Sequence, residues 1–489
     1  MPLTPEAEFL AKEREREKNN QIKNKPIIIL TYSMVAIFMC LIGYVIYFMQ
    51  FKSEHTIANS RNHRQNAFAD TVERGDIITS DGEIIATNNT DESGNTYRYY
   101  PYSNMFAHVV GYNEYGKSGL ELQGNFYMLR SHVNIFERLY NEIKEAKNRG
   151  DNLVSTLNYE LQNVAYNALG DCKGAVVVME PDTGRILAMV SKPDFDPNNI
   201  DGVWDYMQTE EGSESTLLLN RATQGLYAPG STFKVITLLE YLKEHPNDAN
   251  NYSYECTGNT IFAGVDLHCN DDTIHGTESL SDSLAYSCNL SFANIGMSLD
   301  YNEYKNTAED LLFNMDLPYD GEYAKSKFYI NSKSNASEIP QTAIGQGETK
   351  ITPLHNAMIM SAIANGGVLM KPHLIQRIES DDGATVKQIK ARTHGTLMTN
   401  EEAGKLIEYM KTVCDYGTAS GYFAYSSYDV AGKTGTAEYD DEGNCNSWFV
   451  GFSNPDNPDI VVSVIVEDYN TYGVSGTSIA AQIFDAYYN

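Results

Sequence analysis

The chain has 489 residues, 42% apolar and 21% charged, enough to fill more than one hydrophobic core. Its 65 acidic and 36 basic residues give a net charge of −29, which argues against a nucleic-acid binder, since such proteins need a basic face to displace counterions. Seven cysteines are too few for a disulfide scaffold, and no C-x-x-C or C-x-x-C-H occurs, which argues against zinc ribbons, thioredoxin-type sites and c-type haem.

No charge falls between Lys25 and Lys52. The stretch PIIILTYSMVAIFMCLIGYVIYFMQF, residues 26–51, can cross a hydrocarbon core of roughly 30 Å as a helix. It exceeds a signal-peptide core and no clear A-x-A site follows, which predicts an uncleaved transmembrane anchor. Six basic residues precede it (Lys12, Arg14, Arg16, Lys18, Lys23 and Lys25), against three in residues 51–70 (Lys52, Arg61 and Arg64). That bias places a tail of residues 1–25 in the cytoplasm and everything after residue 51 outside. No second run of this length follows, so a single pass is expected.

Residues 52–150 are polar, rich in Asn and Tyr, and read as a small mixed pedestal module. Within them RGDIITSDGEIIA, residues 74–86, predicts strand, Asp81-Gly82 turn, strand. From 151 to 489 the texture is that of one larger domain. GAVVVME and RILAMVS, separated by Pro181-Asp182-Thr183-Gly184, predict a hairpin. A helix-rich middle is expected over about 203–315. Three strand candidates follow, DVAGKTGTAEY, SWFVGF and IVVSVIVE, and then an amphipathic segment, SIAAQIFDAYY. The order predicts an α+β fold, with one antiparallel sheet closed by both ends of the domain and flanked by helices.

Three short patterns carry chemistry. In YAPGSTFKVITLL, residues 227–239, Pro229-Gly230 breaks the chain and a helical apolar pattern follows. Ser231 then sits at a helix start with Lys234 one turn on. The helix terminus favours an attacking alkoxide, while burial and the dipole push the lysine towards its neutral form, a base beside a nucleophile. Read alone, Ser231 is equally an N-cap and Lys234 a surface lysine. Ser287-Cys288-Asn289 falls at a break between apolar helical stretches, where a serine can relay a proton and an amide can hold a substrate amide; a local cap fits as well. In the strand candidate with Lys433-Thr434-Gly435-Thr436, both threonines share a face, Gly435 lets another backbone approach, and Lys433 supplies a fixed positive charge. A glycine-weakened edge strand with a surface lysine is the plain alternative. Order strengthens the set: S-x-N lies 56 residues after S-x-x-K, and K-T-G another 146 residues on, as in one group of serine acyl-transferases.

With these motifs and the stretches GAVVVMEPDTGRILAMVSKPDFDPN, LNRATQGLYAPGSTFK, AIGQGETKITPLHNAM and AGKTGTAE, the chain resembles the class B penicillin-binding proteins over nearly its whole length. These are monofunctional peptidoglycan D,D-transpeptidases. The resemblance implies a pedestal and a penicillin-recognising domain with a five-stranded antiparallel sheet. It implies Ser231 as the acylated nucleophile, Lys234 as its proton acceptor and Ser287 as the shuttle to the leaving amine. Asn289 would hold the substrate amide, Lys433 would tune Ser287, and Thr434, Gly435 and Thr436 would bind the terminal carboxylate segment. Backbone N–H groups of Ser231 and Thr436 would form the oxyanion hole. The donor would be a stem peptide ending in D-Ala-D-Ala, the acceptor a neighbouring stem's amine, and β-lactams would bind covalently. No metal or organic cofactor is implied; a SEDS-family glycosyltransferase is the implied partner. With the sequence ending soon after the last strand and only about 150 residues before the larger domain, neither an appended PASTA-type module nor a glycosyltransferase domain is expected.

A D,D-carboxypeptidase, a β-lactamase and a non-catalytic β-lactam sensor or scaffold are the rivals. A class A β-lactamase adds Glu-x-x-Leu-Asn between the second and third motifs; Glu309 to Asn314 reads EDLLFN, out of register by one. Cys256 and Cys269, 13 residues apart, fit either a disulfide or two reduced thiols.

Overall fold

The computed structural model describes residues 4–48, 72–133, 135–144, 146–439 and 443–489. The chain divides into two compact units, Met1–Gln65 and Asn66–Asn489. In the first, helix α1 (Pro5–Tyr47) is long and apolar enough to cross a membrane. It carries the predicted anchor as far as Tyr47; residues 49–51 lie outside the described residues. Within the apolar run, the Thr31 and Ser33 hydroxyls donate to the carbonyls of Ile27 and Ile29 at 2.8 Å, so neither needs water.

The second unit is built round a five-stranded sheet of β1 (Gly174–Met179), β2 (Ile186–Lys192), β3 (Val430–Glu438), β4 (Cys445–Ser453) and β5 (Val461–Val466). Its order is β3-β4-β5-β1-β2 and every pairing is antiparallel, so strands from both ends of the larger domain lie side by side. All residues of β1, β4 and β5 are buried, which requires cover on both faces and explains continuous apolar runs such as VVV and VIV. The helices that build the site are α2 (Lys234–Glu244), α3 (Leu280–Ala285) and α4 (Asn289–Ser298). Helices α5 (Pro353–Ala364) and α6 (Gly476–Tyr488) pack on the sheet. All twelve residues of α5 are buried, as an almost wholly apolar helix demands.

The helix-rich middle needs correction. Two antiparallel ribbons interrupt it: Ser253–Cys256 with Gly276–Ser279, and Asn259–Phe262 with Val265–His268. These strands are four residues each and largely exposed, so their sequences show no sustained alternation. The pedestal strands join a six-stranded sheet in the order Thr385–Gln388, Ile375–Glu379, Asn152–Ser155, Ile77–Ile78, Ile84–Thr90, Thr96–Tyr99. That sheet therefore crosses the composition break at residue 150. Arg74 of the RGD segment and Arg98 both bind the buried Glu121 carboxylate, at 2.6 and 2.7 Å, which fastens this part together.

Candidate active site

Three backbones meet at Gly230. Its N–H donates to the Gly345 carbonyl at 2.9 Å. A Cβ on Gly230 would lie 2.5 Å from the Thr436 carbonyl oxygen, and one on Gly345 would lie 1.9 Å from the Gly230 oxygen. Both glycines have positive φ, +53° and +81°, so a side chain is excluded by conformation as well as by space. From β4, the Trp448 indole N–H donates to the Ala228 carbonyl at 3.0 Å. The turn is thus held on two sides before it enters the short 3₁₀ segment Gly230–Phe233, which carries Ser231 and runs directly into α2 at Lys234.

Lys234 is fully buried. Its Nζ donates to the Ser287 carbonyl at 2.6 Å, to Ser287 Oγ at 3.2 Å and to Asn289 Oδ1 at 2.7 Å. Burial pushes its pKa from the ordinary lysine value down to about 8. Ser287 lies in the break between α3 and α4 with φ +60°, a left-handed conformation uncommon outside glycine. Its hydroxyl also accepts from Lys433 Nζ at 2.9 Å, and that ammonium donates to the Thr434 carbonyl at 3.0 Å. Two buried lysines therefore share one hydroxyl. Lys433 is not a surface residue. Burial, and then the neighbouring Lys234, hold its pKa well below the usual range. Like charges this close cannot both persist without cost.

Asn289 has both amide atoms engaged within the protein, because its Nδ2 donates to the His268 carbonyl at 2.7 Å. It positions Lys234, and the second hydrogen on its Nδ2 remains for a substrate carbonyl in the cleft that Asn289 lines. On β3, Thr434 Oγ1 is 2.6 Å from Thr418 Oγ1, and Thr436 is exposed. β3 is the edge of the sheet, so its outer backbone groups face the cleft. Gly435 gives the Ser231 turn room: a Cβ there would come within 3.0 Å of Thr232 Cγ2.

A cleft of about 900 Å³ is lined by Ser231, Ser287, Asn289, Thr434, Gly435 and Thr436, together with His268, Gln346, Thr418, Tyr422 and Trp448. Of the eight predicted residues, six line it; the two lysines lie behind and reach it through Ser287. Gly345, Thr418, Trp448 and His268 were not singled out from sequence. Gly345 stands in the quoted AIGQGETK stretch and its turn signal was available there; Thr418 and His268 carry no local pattern. The Cys256–Cys269 disulfide is not formed. The two sulfurs are 3.6 Å apart, with Cys288 Sγ 3.7 Å from Cys269 and His275 Nδ1 3.4 Å from Cys256 crowding the same space.

A family model described as the penicillin binding protein transpeptidase domain matches residues 174–489. A second, the penicillin binding protein A dimerisation domain, matches residues 74–153. Peptidoglycan D,D-transpeptidase PbpA of Mycolicibacterium smegmatis is 29% identical, over 88% of this chain and 92% of that protein. Peptidoglycan D,D-transpeptidase MrdA of Acinetobacter baumannii is 28% identical over 79% of this chain and 65% of that one. The imipenem acyl-enzyme of penicillin-binding protein A from Mycobacterium tuberculosis superposes with a TM-score of 0.76 at 26% identity, covering 86% of this chain and 99% of that structure. The D,D-transpeptidase domain of a peptidoglycan glycosyltransferase from Eggerthella lenta gives 0.75 at 28%, covering 85% and 98%. Architecture, motif geometry and a matching transpeptidase model over most of the chain agree: the chain belongs to the class B penicillin-binding proteins.

Proposed function

We propose that the chain is a peptidoglycan D,D-transpeptidase that works through a serine acyl-enzyme and is acylated by β-lactams. One observation carries this reading: Lys234 and Lys433 converge on the Ser287 hydroxyl at the floor of a cleft that Ser231 and Thr436 line. As an ammonium, Lys234 spends its three protons on Ser287 O, Ser287 Oγ and Asn289 Oδ1. Once neutral, it has a lone pair for the Ser231 proton. Ser231 Oγ attacks the penultimate D-Ala carbonyl of a stem peptide. The oxyanion forms against the N–H groups of Ser231 and Thr436. The proton then passes from Lys234 through Ser287 Oγ to the departing D-alanine amine as the C–N bond breaks. An acceptor amine enters along the same path and attacks the ester carbonyl; its proton passes through Ser287 Oγ and Lys234 to Ser231 Oγ as the acyl–Ser231 bond breaks. Thr434, Gly435 and Thr436 seat the terminal carboxylate, and Asn289 offers its remaining amide hydrogen to the substrate backbone.

The same proposal assigns residues 26–51 as a single-pass anchor with residues 1–25 cytoplasmic, residues 52–150 as the pedestal and 151–489 as the catalytic domain outside the membrane. The basic residues before the apolar run support that orientation. A SEDS-family glycosyltransferase is the partner proposed for the anchor and pedestal. The test is mass spectrometry of the penicillin-treated chain. The adduct is expected on the peptide holding Ser231 and absent from Ser231→Ala; an adduct that survives the substitution refutes the assignment. With a thioester donor, added D-amino acid should yield an exchanged product. Rapid turnover of nitrocefin without any amine-dependent product would point instead to a hydrolase.

A further inference from the structure

One turn beyond Lys234 on α2, a buried hydroxyl reaches out of its own helix. Thr237, Tyr304 and Ala343 are all 0% exposed. Thr237 Oγ1 donates to the Ala343 carbonyl at 2.8 Å and lies 2.6 Å from Tyr304 Oη. A threonine hydroxyl has one hydrogen, and a carbonyl can only accept. Tyr304 is therefore the donor to Thr237, and the three groups form one directed hydrogen-bond relay. A threonine inside a helix can bond back to the carbonyl four residues before it. Here that contact, to Phe233, is the long one at 3.4 Å, so the hydroxyl is committed to Ala343.

Both ends of the relay lead to the site. Ala343 is the last residue of the helix Glu338–Ala343, and the final carbonyls of a helix have no partner within it. Two residues on, the Gly345 carbonyl accepts the Gly230 N–H at 2.9 Å, which holds the Ser231 turn. Ile344 and Gln346, on either side of Gly345, line the cleft. At the other end, Tyr304 belongs to the helix Tyr301–Asp310. Its ring packs on Phe233 with centroids 6.3 Å apart, and Phe233 lies between Ser231 and Lys234 in the sequence. Tyr304 thus grips the S-x-x-K segment twice, by its ring before Lys234 and by its hydroxyl after it. A second polar pair repeats the pattern one turn further along both helices: the Thr307 hydroxyl donates to the buried Glu240 carboxylate at 2.5 Å. Apolar contacts alone tolerate a shift of one helix against another, whereas buried hydrogen-bonding pairs are satisfied in one register.

We propose that Thr237 and Tyr304 are positioning residues for acyl transfer: through the Ala343 carbonyl they lock α2, with Lys234, to the Gly345 segment, which holds the Ser231 turn and lines the cleft. The inference rests on the acyl-enzyme reading given above. Neither residue touches the reacting atoms. They set where Ser231 and Lys234 stand relative to the cleft wall at Ile344 and Gln346. Removing the Thr237 hydroxyl leaves two buried groups unpaired, the Ala343 carbonyl and the Tyr304 O–H. A small shift of α2 against the Gly345 segment relieves them, and a misplacement of about 1 Å slows a positioned reaction by about a hundredfold.

The experiment uses the full chain in detergent and stopped-flow labelling by a fluorescent penicillin, which separates the affinity of the first, non-covalent complex from the rate of acylation. Thr237→Val removes the hydroxyl and keeps the volume, Thr237→Ser keeps the hydroxyl, and Tyr304→Phe removes one oxygen and leaves the ring on Phe233. Thr237→Val is expected to slow the acylation step by about ten- to a hundredfold, with the non-covalent affinity unchanged. Thr237→Ser should recover most of the rate. Tyr304→Phe, which leaves Thr237 on Ala343, should fall between Thr237→Val and the wild type. Wild-type acylation in Thr237→Val overturns the proposal. So does a loss that appears in affinity instead of rate, or one that Thr237→Ser does not recover. Where circular dichroism shows Thr237→Val unfolded, Tyr304→Phe decides: slowed acylation at unchanged affinity supports the relay, and a wild-type rate overturns it. A wild-type chain that takes no label on Ser231 overturns the acyl-enzyme reading and this inference with it, whereas normal labelling in the variants overturns this inference alone.

Discussion

Ser287 accepts hydrogen bonds from two buried lysines, and that sharing determines how the site responds to pH. Burial lowers the pKa of Lys234 to about 8, so its neutral form grows as pH rises through that value. In the proposed mechanism the base is the neutral form. Acylation by a β-lactam is therefore predicted to rise with pH through about 8 and level off above it, which a stopped-flow pH profile checks. Lys234→Arg keeps a cation at every accessible pH. It should cut acylation by about 10²–10⁴-fold while circular dichroism reports a retained fold. Ser231, Lys234 and the S-x-N pair were legible in the sequence as cleft candidates because each belongs to a contiguous pattern. The burial of Lys433 was not. It depends on the helix Asn400–Asp415, which packs on β3, and nothing within K-T-G announces that cover.

At the scale of elements, the turn that carries Ser231 is a junction of glycines where a side chain would collide with neighbouring backbone. Gly345 is the tightest point, and its φ of +81° adds conformational strain to any substitution. Gly345→Ala should cost roughly 1–3 kcal/mol from the backbone alone. It should also displace Ser231 enough to slow acylation by about a hundredfold. Thermal melts and penicillin labelling measure the two effects separately. The sheet strands were readable from their apolar runs and turns, and α6 from its amphipathic pattern. The ribbons within residues 253–279 were not, because four-residue strands with exposed faces gain little from burial and show no period.

For the whole molecule, the six-stranded sheet decides what can fold alone. Strand Asn152–Ser155 pairs on one side with Ile77–Ile78 and on the other with Ile375–Glu379. The pedestal and the catalytic domain are therefore expected to melt in one calorimetric transition, and a fragment ending at residue 150 should stay unfolded by circular dichroism. Two separate transitions would refute this. The break at residue 150 was visible as a change in composition; the returning hairpin, Ile375–Glu379 and Thr385–Gln388, was not, since pairing over such a separation leaves no local trace.

That hairpin also sets a schedule. Strand Ile375–Glu379 lies about 220 residues beyond the strand it completes. A chain emerging N-terminus first must hold the edge of Asn152–Ser155 open until residue 379 has appeared, because long-range pairing cannot precede its partner. Throughout that interval an unpaired strand edge is available to any other chain, so the newly made protein is most exposed to misassembly, and to chaperones that shield such edges, before the strand Val430–Glu438 that closes the cleft beside Ser231 has been made.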